Sequence, residues 1–343
     1  MNSSLLEIKD LHVVFRSPFR PPLSVIRGVN LTLRREESIA LIGESGCGKT
    51  TLVKSCMRLL SPFSGAQIVQ GRILYQNQEL TTLPIRELTK IRGKEMSYLF
   101  QDPMSALNPT MKIGKQISES YRVHHPKIKK NQLYDMVVRV LSHLGMTPPD
   151  LCYQQYPSQL SGGMRQRVML AMATISLPTL LIADEPTTAL DEIRRKEIVH
   201  WLKKIQQERK VTLLLVTHDF QIIQEMCKRI GVMLRGKIIE EGETHALCIS
   251  PKHPYTRRII QTIKQWGKFS SFSPEGRIRS LYSLPISSYE RGHDQIGCPF
   301  CTRCPYLLPI CKRKAPPPLT IDQQIVSCWL YADRATRRHG MVC

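Results

Sequence analysis

The chain has 343 residues, 42% of them hydrophobic and 22% charged, and 49 Lys and Arg against 28 Asp and Glu give a formal net charge of +21. That length exceeds a typical single domain, and no apolar run reaches the roughly 18 residues a membrane-spanning helix requires, so the sequence predicts one large domain with a smaller appended module and no transmembrane helix. The charge would attract nucleic acid, anionic lipid or polyphosphate without choosing among them; a basic surface beside an anionic membrane is the preferred reading over direct nucleic-acid binding.

The start, MNSSLLEIKD, lacks the basic, apolar and small-residue segments of a secretory signal, which makes the cytoplasm the expected compartment. From Leu5 to about Val69 apolar and polar residues alternate, as in LEIKDLHVVF and SVIRGVNLTL, predicting a mainly antiparallel β region. Within it Ser38 to Ile42 reads as a short buried strand entering a glycine-rich turn, with a helix from Lys49. Leu133, Met136, Val137, Val140, Leu141 and Leu144 recur at helical spacing and stop at Gly145. Leu180 to Ala183 and Leu213 to Val216 suit interior strands of a parallel sheet, and Ile198, Trp201, Leu202 and Ile205 mark a helix between them. After residue 250 the periodicity weakens and Pro, Ser and Arg become frequent, which predicts a large domain over 1–250 and an irregular extension over 251–343. Of eleven cysteines, Cys47, Cys56, Cys152, Cys227, Cys248 and Cys343 are scattered, while Cys298, Cys301, Cys304, Cys311 and Cys328 crowd together. Structural disulfides are not expected in a reducing compartment.

Gly43-Glu44-Ser45-Gly46-Cys47-Gly48-Lys49-Thr50 fits G-x-x-x-x-G-K-[ST] between a strand and a helix. The glycines let backbone N–H groups face phosphate, Lys49 reaches the β- and γ-phosphates, and Thr50 offers an oxygen to Mg²⁺. Leu181-Ile182-Ala183-Asp184-Glu185 has the form of a Walker B strand. It delivers Asp184 to the magnesium shell and places Glu185 to orient or deprotonate an attacking water.

With these stands Leu160-Ser161-Gly162-Gly163-Met164-Arg165-Gln166, which matches the LSGGQ signature of the ATPase subunits of ABC transporters except at Met164. The chain resembles that family along its length. Gln101 after Tyr98-Leu99-Phe100 corresponds to the Q-loop, Ala189-Leu190-Asp191 to the D-loop and His218 after Leu215-Val216-Thr217 to the switch histidine. The resemblance implies a RecA-like α/β P-loop NTPase core with an antiparallel β subdomain, an inserted helical subdomain and a Cys-containing C-terminal extension. It implies Glu185, His218 and Gln101 in catalysis and Thr50, Gln101 and Asp184 around Mg²⁺. It implies Gly43, Ser45, Gly46, Cys47, Gly48, Lys49, Thr50 and Thr51, with Ser161, Gly162, Gly163 and Asp191, around ATP. Phe15 resembles the aromatic that stacks on adenine, with a core role as the competing reading.

Gln101-Asp102-Pro103-Met104-Ser105-Ala106-Leu107-Asn108-Pro109 and Pro251-Lys252-His253-Pro254-Tyr255-Thr256 are similar to strings of the dipeptide, oligopeptide and nickel importer group. Cys298, Cys304, Cys311 and Cys328 follow that group's tail, where the resemblance implies a [4Fe-4S] cluster; zinc or reduced thiols are the competing readings, and Cys301 is additional. The implied function is an ATP-hydrolysing subunit, peripheral on the cytoplasmic face of the inner membrane, that energises peptide import. Its implied partners are two permease subunits, a second ATPase in a head-to-tail dimer and an extracytoplasmic solute-binding protein. Import of nickel, glutathione or antimicrobial peptides is the alternative within the group, and a soluble nucleic-acid-associated ATPase the alternative outside it; no nucleic-acid partner is expected. Two departures stand out: Arg35-Glu36-Glu37-Ser38 lacks the glycine common before the first core strand, and Lys228 replaces a common aspartate.

Overall fold

Alternating burial along the first strand shows why the N-terminal third is β: Leu6, Ile8, Leu11 and Val13 are buried while Asp10 and Arg16 face water. The computed structural model describes residues 4–188, 190–266 and 296–332. In chain order the strands are β1 (Ser4–Ser17), β2 (Arg20–Arg34), β3 (Ser38–Gly43), β4 (Ala66–Tyr75), β5 (Gln78–Glu79), β6 (Met96–Leu99), β7 (Leu180–Asp184), β8 (Thr212–Val216), β9 (Arg229–Leu234), β10 (Lys237–Glu243), β11 (Leu319–Ile321) and β12 (Gln324–Val326). The helices are α1 (Lys49–Cys56), α2 (Ile85–Ile91), α3 (Pro103–Ala106), α4 (Ile113–Arg122), α5 (Lys130–His143) and α6 (Pro149–Gln154), then α7 (Gly162–Thr174), α8 (Glu192–Arg209), α9 (Phe220–Met226), α10 (Thr244–Ile249), α11 (Pro254–Trp266) and α12 (Pro309–Arg313).

The chain divides into two compact units, neither continuous in sequence. One comprises residues 1–5, 33–38 and 82–217, and carries the parallel strands β6, β7 and β8. Both β7 and β8 are buried at every position, as expected of apolar runs covered on both faces. Helices α4 to α7 of this unit pack on one another through Ile113, Ile117, Leu133, Val137, Leu141, Val168 and Leu170. Helix α5 ends as its sequence predicts: Gly145 is left-handed at φ 69°, its N–H bonds to Ser142 O, and the next N–H, of Met146, reaches back to Leu141 O.

The other unit comprises residues 6–32, 39–81 and 218–343. It holds the antiparallel sheet β2-β1-β4-β5, in which Leu6 pairs with Tyr75 and Phe15 with Ala66. Its second group of strands runs β3, β9, β10, β12, β11, with β3 and β9 parallel and the other pairs antiparallel. The C-terminal extension therefore contributes β11 and β12 to the same strand array as the phosphate-turn strand β3. It also contains α11, a 13-residue helix that buries Tyr255, Ile259 and Ile260, so it has more regular structure than its proline-rich texture suggests.

The missing glycine before β3 has a local consequence. Glu36 adopts a left-handed backbone at φ 60°, a conformation that costs an L-residue roughly 1–2 kcal/mol. The turn is held by Glu36 N–H to Thr212 Oγ1 at 2.9 Å, Arg34 N–H to Glu37 Oε2 at 2.8 Å and Leu213 N–H to Glu37 O at 2.9 Å. Among the described residues the Glu36 side chain makes only an exposed contact with Lys210, at 3.6 Å. Glu36→Gly should therefore raise stability by about 1 kcal/mol, read as a higher urea midpoint with an unchanged slope.

Candidate active site

Strand β3 ends at Gly43 because nothing larger fits: a Cβ there would lie 2.2 Å from Met233 O. Beyond it Gly46 and Gly48 take φ 78° and 108°, and Gly48 opens α1. The turn is fastened by Gly236 N–H to Cys47 O at 2.8 Å and Arg27 N–H to Gly236 O at 2.9 Å. Lys49 is buried, and its ammonium donates to Gly43 O at 2.8 Å and Glu44 O at 3.0 Å. Ser45 and Gly46 are exposed at the crest, and Thr50 and Thr51 are half-buried. Burial pushes the Cys47 thiol up despite the nearby Lys49 cation, which keeps it protonated near neutrality.

In the unit that contains β7, Asp184 is buried at 1% exposure and accepts a hydrogen bond from Tyr98 Oη at 2.7 Å. The chain then turns sharply: Glu185 is left-handed at φ 47°, and its N–H is tied to Val216 O at 2.8 Å. Its Oε2 accepts from Gln101 Nε2 and from Thr188 Oγ1, each at 2.9 Å. A strained residue fastened by three bonds is a common form of catalytic positioning. Two expected residues, Gln101 and Glu185, are thus in direct contact, 84 residues apart in sequence.

The glycine signature opens α7 in the same unit. Ser161 caps the helix by accepting from Met164 N–H at 3.3 Å; Ser161 and Gly162 are exposed, and Gly163 is buried where a Cβ would meet Arg194 Cδ at 2.9 Å. Gln166 Nε2 donates to Pro186 O, linking the helix to the turn after Glu185. Asp191 caps α8 by accepting from Arg194 N–H at 2.9 Å, while Ala189 of the expected D-loop lies outside the described residues.

His218 is exposed just before α9, whose first turn Asp219 caps. Phe15 is half-buried on β1. The clustered cysteines draw together in the extension: Cys298 N–H bonds to Cys311 O at 2.7 Å, and Cys301 N–H to Cys298 O at 3.1 Å. Burial pushes Cys298 up to about 11 and Cys328 to about 12, with neighbouring thiols adding to both shifts, and Cys304 is raised in the same way. The donor chemistry suits a soft metal or a cluster. Among the described residues, however, no group of three or more His, Cys, Asp or Glu is arranged to hold a metal ion, so this arrangement gives the expected [4Fe-4S] cluster no support. Cys343 lies outside the described residues.

Several contacts escaped sequence reasoning. Tyr98 and Thr188 had no signature of their own as carboxylate partners. Tyr255, which the HPYT string flagged, meets the phosphate turn, as its Oη accepts from Glu44 N–H at 3.0 Å. Arg303 pairs with Glu44 across 259 residues, a contact no local pattern announces. Buried Glu240 accepts from the N–H groups of Lys252 and His253 at 2.6 and 3.0 Å, and burial raises its pKa.

A family model described as "ABC transporter" matches residues 26–188, and one described as "Oligopeptide/dipeptide transporter, C-terminal region" matches residues 239–311. The chain is 38% identical over 334 residues to the dipeptide transport ATP-binding protein DppD of Bacillus subtilis, covering 96% of each chain. It is 36% identical over 329 residues to the oligopeptide transport ATP-binding protein OppD of the same organism, covering 95% of this chain and 88% of the relative. Among solved structures, the ATP-binding cassette MJ0796 in a dimeric post-hydrolysis state with ADP and Pi superposes with a TM-score of 0.63 at 24% identity, covering 70% of this chain and 98% of that one. CbiO1 of Clostridium perfringens superposes at 0.60 with 23% identity, covering 79% and 100%. These likenesses agree with the RecA-like α/β core expected from the motifs.

His253 yields a pH prediction. It is 1% exposed, its Nδ1 accepts from Tyr255 N–H at 3.0 Å, and burial, with Arg257 nearby, lowers its pKa from 6.5 to about 3. A depressed folded-state pKa contributes stability that is present above 6.5 and lost as pH falls toward 3. The urea midpoint should fall more steeply across that window in the parent chain than in His253→Gln.

Proposed function

Because the chain belongs to the ABC transporter family, among the ATP-binding proteins of dipeptide and oligopeptide transport, we propose that it hydrolyses ATP to energise peptide import through a membrane transporter. The observation that carries this reading is the 38% identity to a dipeptide transport ATP-binding protein over 96% of both chains, which takes in the ATPase motifs and the C-terminal region alike. The peptide reading is preferred to nickel or nucleic acid because the relatives named above are dipeptide and oligopeptide transport proteins.

The proposed chemistry is phosphoryl transfer to water. The phosphate turn presents backbone N–H groups at the start of α1, and Lys49, now bonded to two neutral carbonyls, gains a stronger partner when a phosphate oxygen takes their place. Mg²⁺ would supply charge neutralisation on the β- and γ-phosphates, and Thr50, Gln101 and Asp184 are the residues proposed to hold it. Buried Asp184, with one oxygen fixed by Tyr98, has the chemistry of such a ligand. Glu185, aimed by Gln101 and Thr188, takes a proton from the attacking water. The water oxygen bonds to the γ-phosphorus, the bond to the β–γ bridging oxygen breaks, and ADP and phosphate leave.

His218 is assigned to the γ-phosphate and Phe15 to adenine by motif position. Ser161, Gly162, Gly163 and Asp191 are assigned to nucleotide on a second ATPase subunit in a head-to-tail dimer, an assignment favoured by the exposed start of α7. The proposed working complex adds two permeases and a solute-binding protein. No described helix is long and apolar enough to cross a membrane, which suits a subunit held peripherally at the cytoplasmic face. Residues 1–250 are read as the ATPase domain and 251–343 as the importer-type extension. From motif resemblance we also propose a [4Fe-4S] cluster on Cys298, Cys304, Cys311 and Cys328.

One preparation tests both readings. Purified anaerobically from membranes, the chain should bring permease-like subunits with it, and iron and sulfide assays decide the cluster. Glu185→Gln in that complex should lower ATP turnover by about a thousandfold while leaving ATP affinity within about twofold, as expected when a group acts only in the transition state. Undiminished turnover would remove Glu185 from its role.

A further inference from the structure

Glu44 sits inside the phosphate turn, between Gly43 and Ser45, with its side chain only 10% exposed. A carboxylate at that position opposes a phosphate electrostatically, and burial reduces the screening that salt would provide. The structure answers with a cation from far along the chain. Arg303 donates from Nη1 to Glu44 Oε1 at 2.7 Å and from Nη2 to Oε2 at 3.1 Å, a two-pronged pair that both neutralises the charge and fixes its orientation.

The arginine is itself well placed. A single 3-10 turn, Cys301–Arg303, bonds Arg303 N–H to Phe300 O at 3.0 Å and sets the guanidinium 5.4 Å from the Phe300 ring centre. Phe300 is 2% exposed, and its ring lies 5.4 Å from that of Tyr255. Tyr255 in turn takes the Glu44 N–H, so one residue of the phosphate turn is held at both its backbone and its side chain. The base of this turn is fixed by the close approach of Gly297 to Cys311 O, where a Cβ would lie at 2.1 Å.

We propose that Arg303 is a positioning residue for ATP binding: carried by the cysteine-rich turn of the extension, it neutralises and orients Glu44 so that the phosphate turn holds its ligand-ready shape. The inference rests on the ATP-binding reading above. It gives the extension a direct part in nucleotide affinity through residues that need not touch the nucleotide.

The test measures binding of a non-hydrolysable ATP analogue with Mg²⁺ to the full chain, alongside its melting temperature. Arg303→Glu should weaken binding by about tenfold or more, within the range typical of coupled sites. Glu44→Arg alone should also weaken it, and the double variant Arg303→Glu with Glu44→Arg should recover most of the loss; affinity that falls and recovers without a matching change in melting temperature separates positioning from a merely structural role. Arg303→Lys keeps the charge but loses the fork and should fall between. Single variants that fold and bind like the parent overturn the proposal, as does a double variant no better than the worse single. Should the charge reversals fail to fold, Arg303→Lys decides alone, and parental affinity there overturns it. A parent chain that binds no analogue would instead sink the ATP-binding reading.

Discussion

Glycine-rich backbone has little rigidity of its own, and a single internal bond, Cys47 N–H to Glu44 O at 3.2 Å, leaves most of the fastening of the phosphate turn to its neighbours. The turn between β3 and α1 is held from outside. Met233 approaches Gly43 so closely that no side chain fits, Gly236 fastens Cys47, Arg27 fastens Gly236, and Tyr255 takes the Glu44 N–H. Glycine supplies the left-handed backbone at Gly46 and Gly48, and neighbouring strands and the extension supply the rigidity that glycine lacks.

The same logic governs the carboxylates. In a chain of net charge +21 the acids Asp184, Glu185 and Glu240 are individually fixed: Asp184 by Tyr98, Glu185 by Gln101 and Thr188, and Glu240 by two backbone amides. Leaving a buried acceptor unsatisfied costs about 1–3 kcal/mol, more for a charged group, so each partner is constrained almost as tightly as the acid it serves. Thr188 and Tyr98 show how a fixed carboxylate recruits ordinary residues into its surroundings.

What the sequence disclosed and what it hid divide along contact range. Strands β3, β7 and β8 and helices α5 and α8 were legible because their burial follows from apolar spacing, and the phosphate turn because its glycines occur in one short string. Gln101 and Glu185 were named from separate motifs, and their contact was not foreseen. The Arg303 to Glu44 pair was invisible because nothing near either residue encodes the other. In the extension, where Pro, Ser and Arg are frequent, the described regular structure is the 13-residue α11 and a few short pieces, of which β11 and β12, three residues each, are set by their neighbours and not by their own periodicity. The cysteine string was equally legible, and among the described residues it forms no group of three or more arranged to hold a metal ion.

The short hairpin of β11 and β12 also changes what kind of surface the protein exposes while it waits for its partners. Strand β10 pairs with β9 on one side and with β12 on the other, and β12 is followed by only the three-residue β11. Without the hairpin, one side of the seven-residue β10 would be an open template for strands of other chains. With it, Glu240 and Glu241 at the middle of β10 pair with Val326 and Ile325, and the strand array ends in the three-residue β11. A three-residue terminal strand offers the strands of other chains little length to pair with, which disfavours edge-to-edge association between copies.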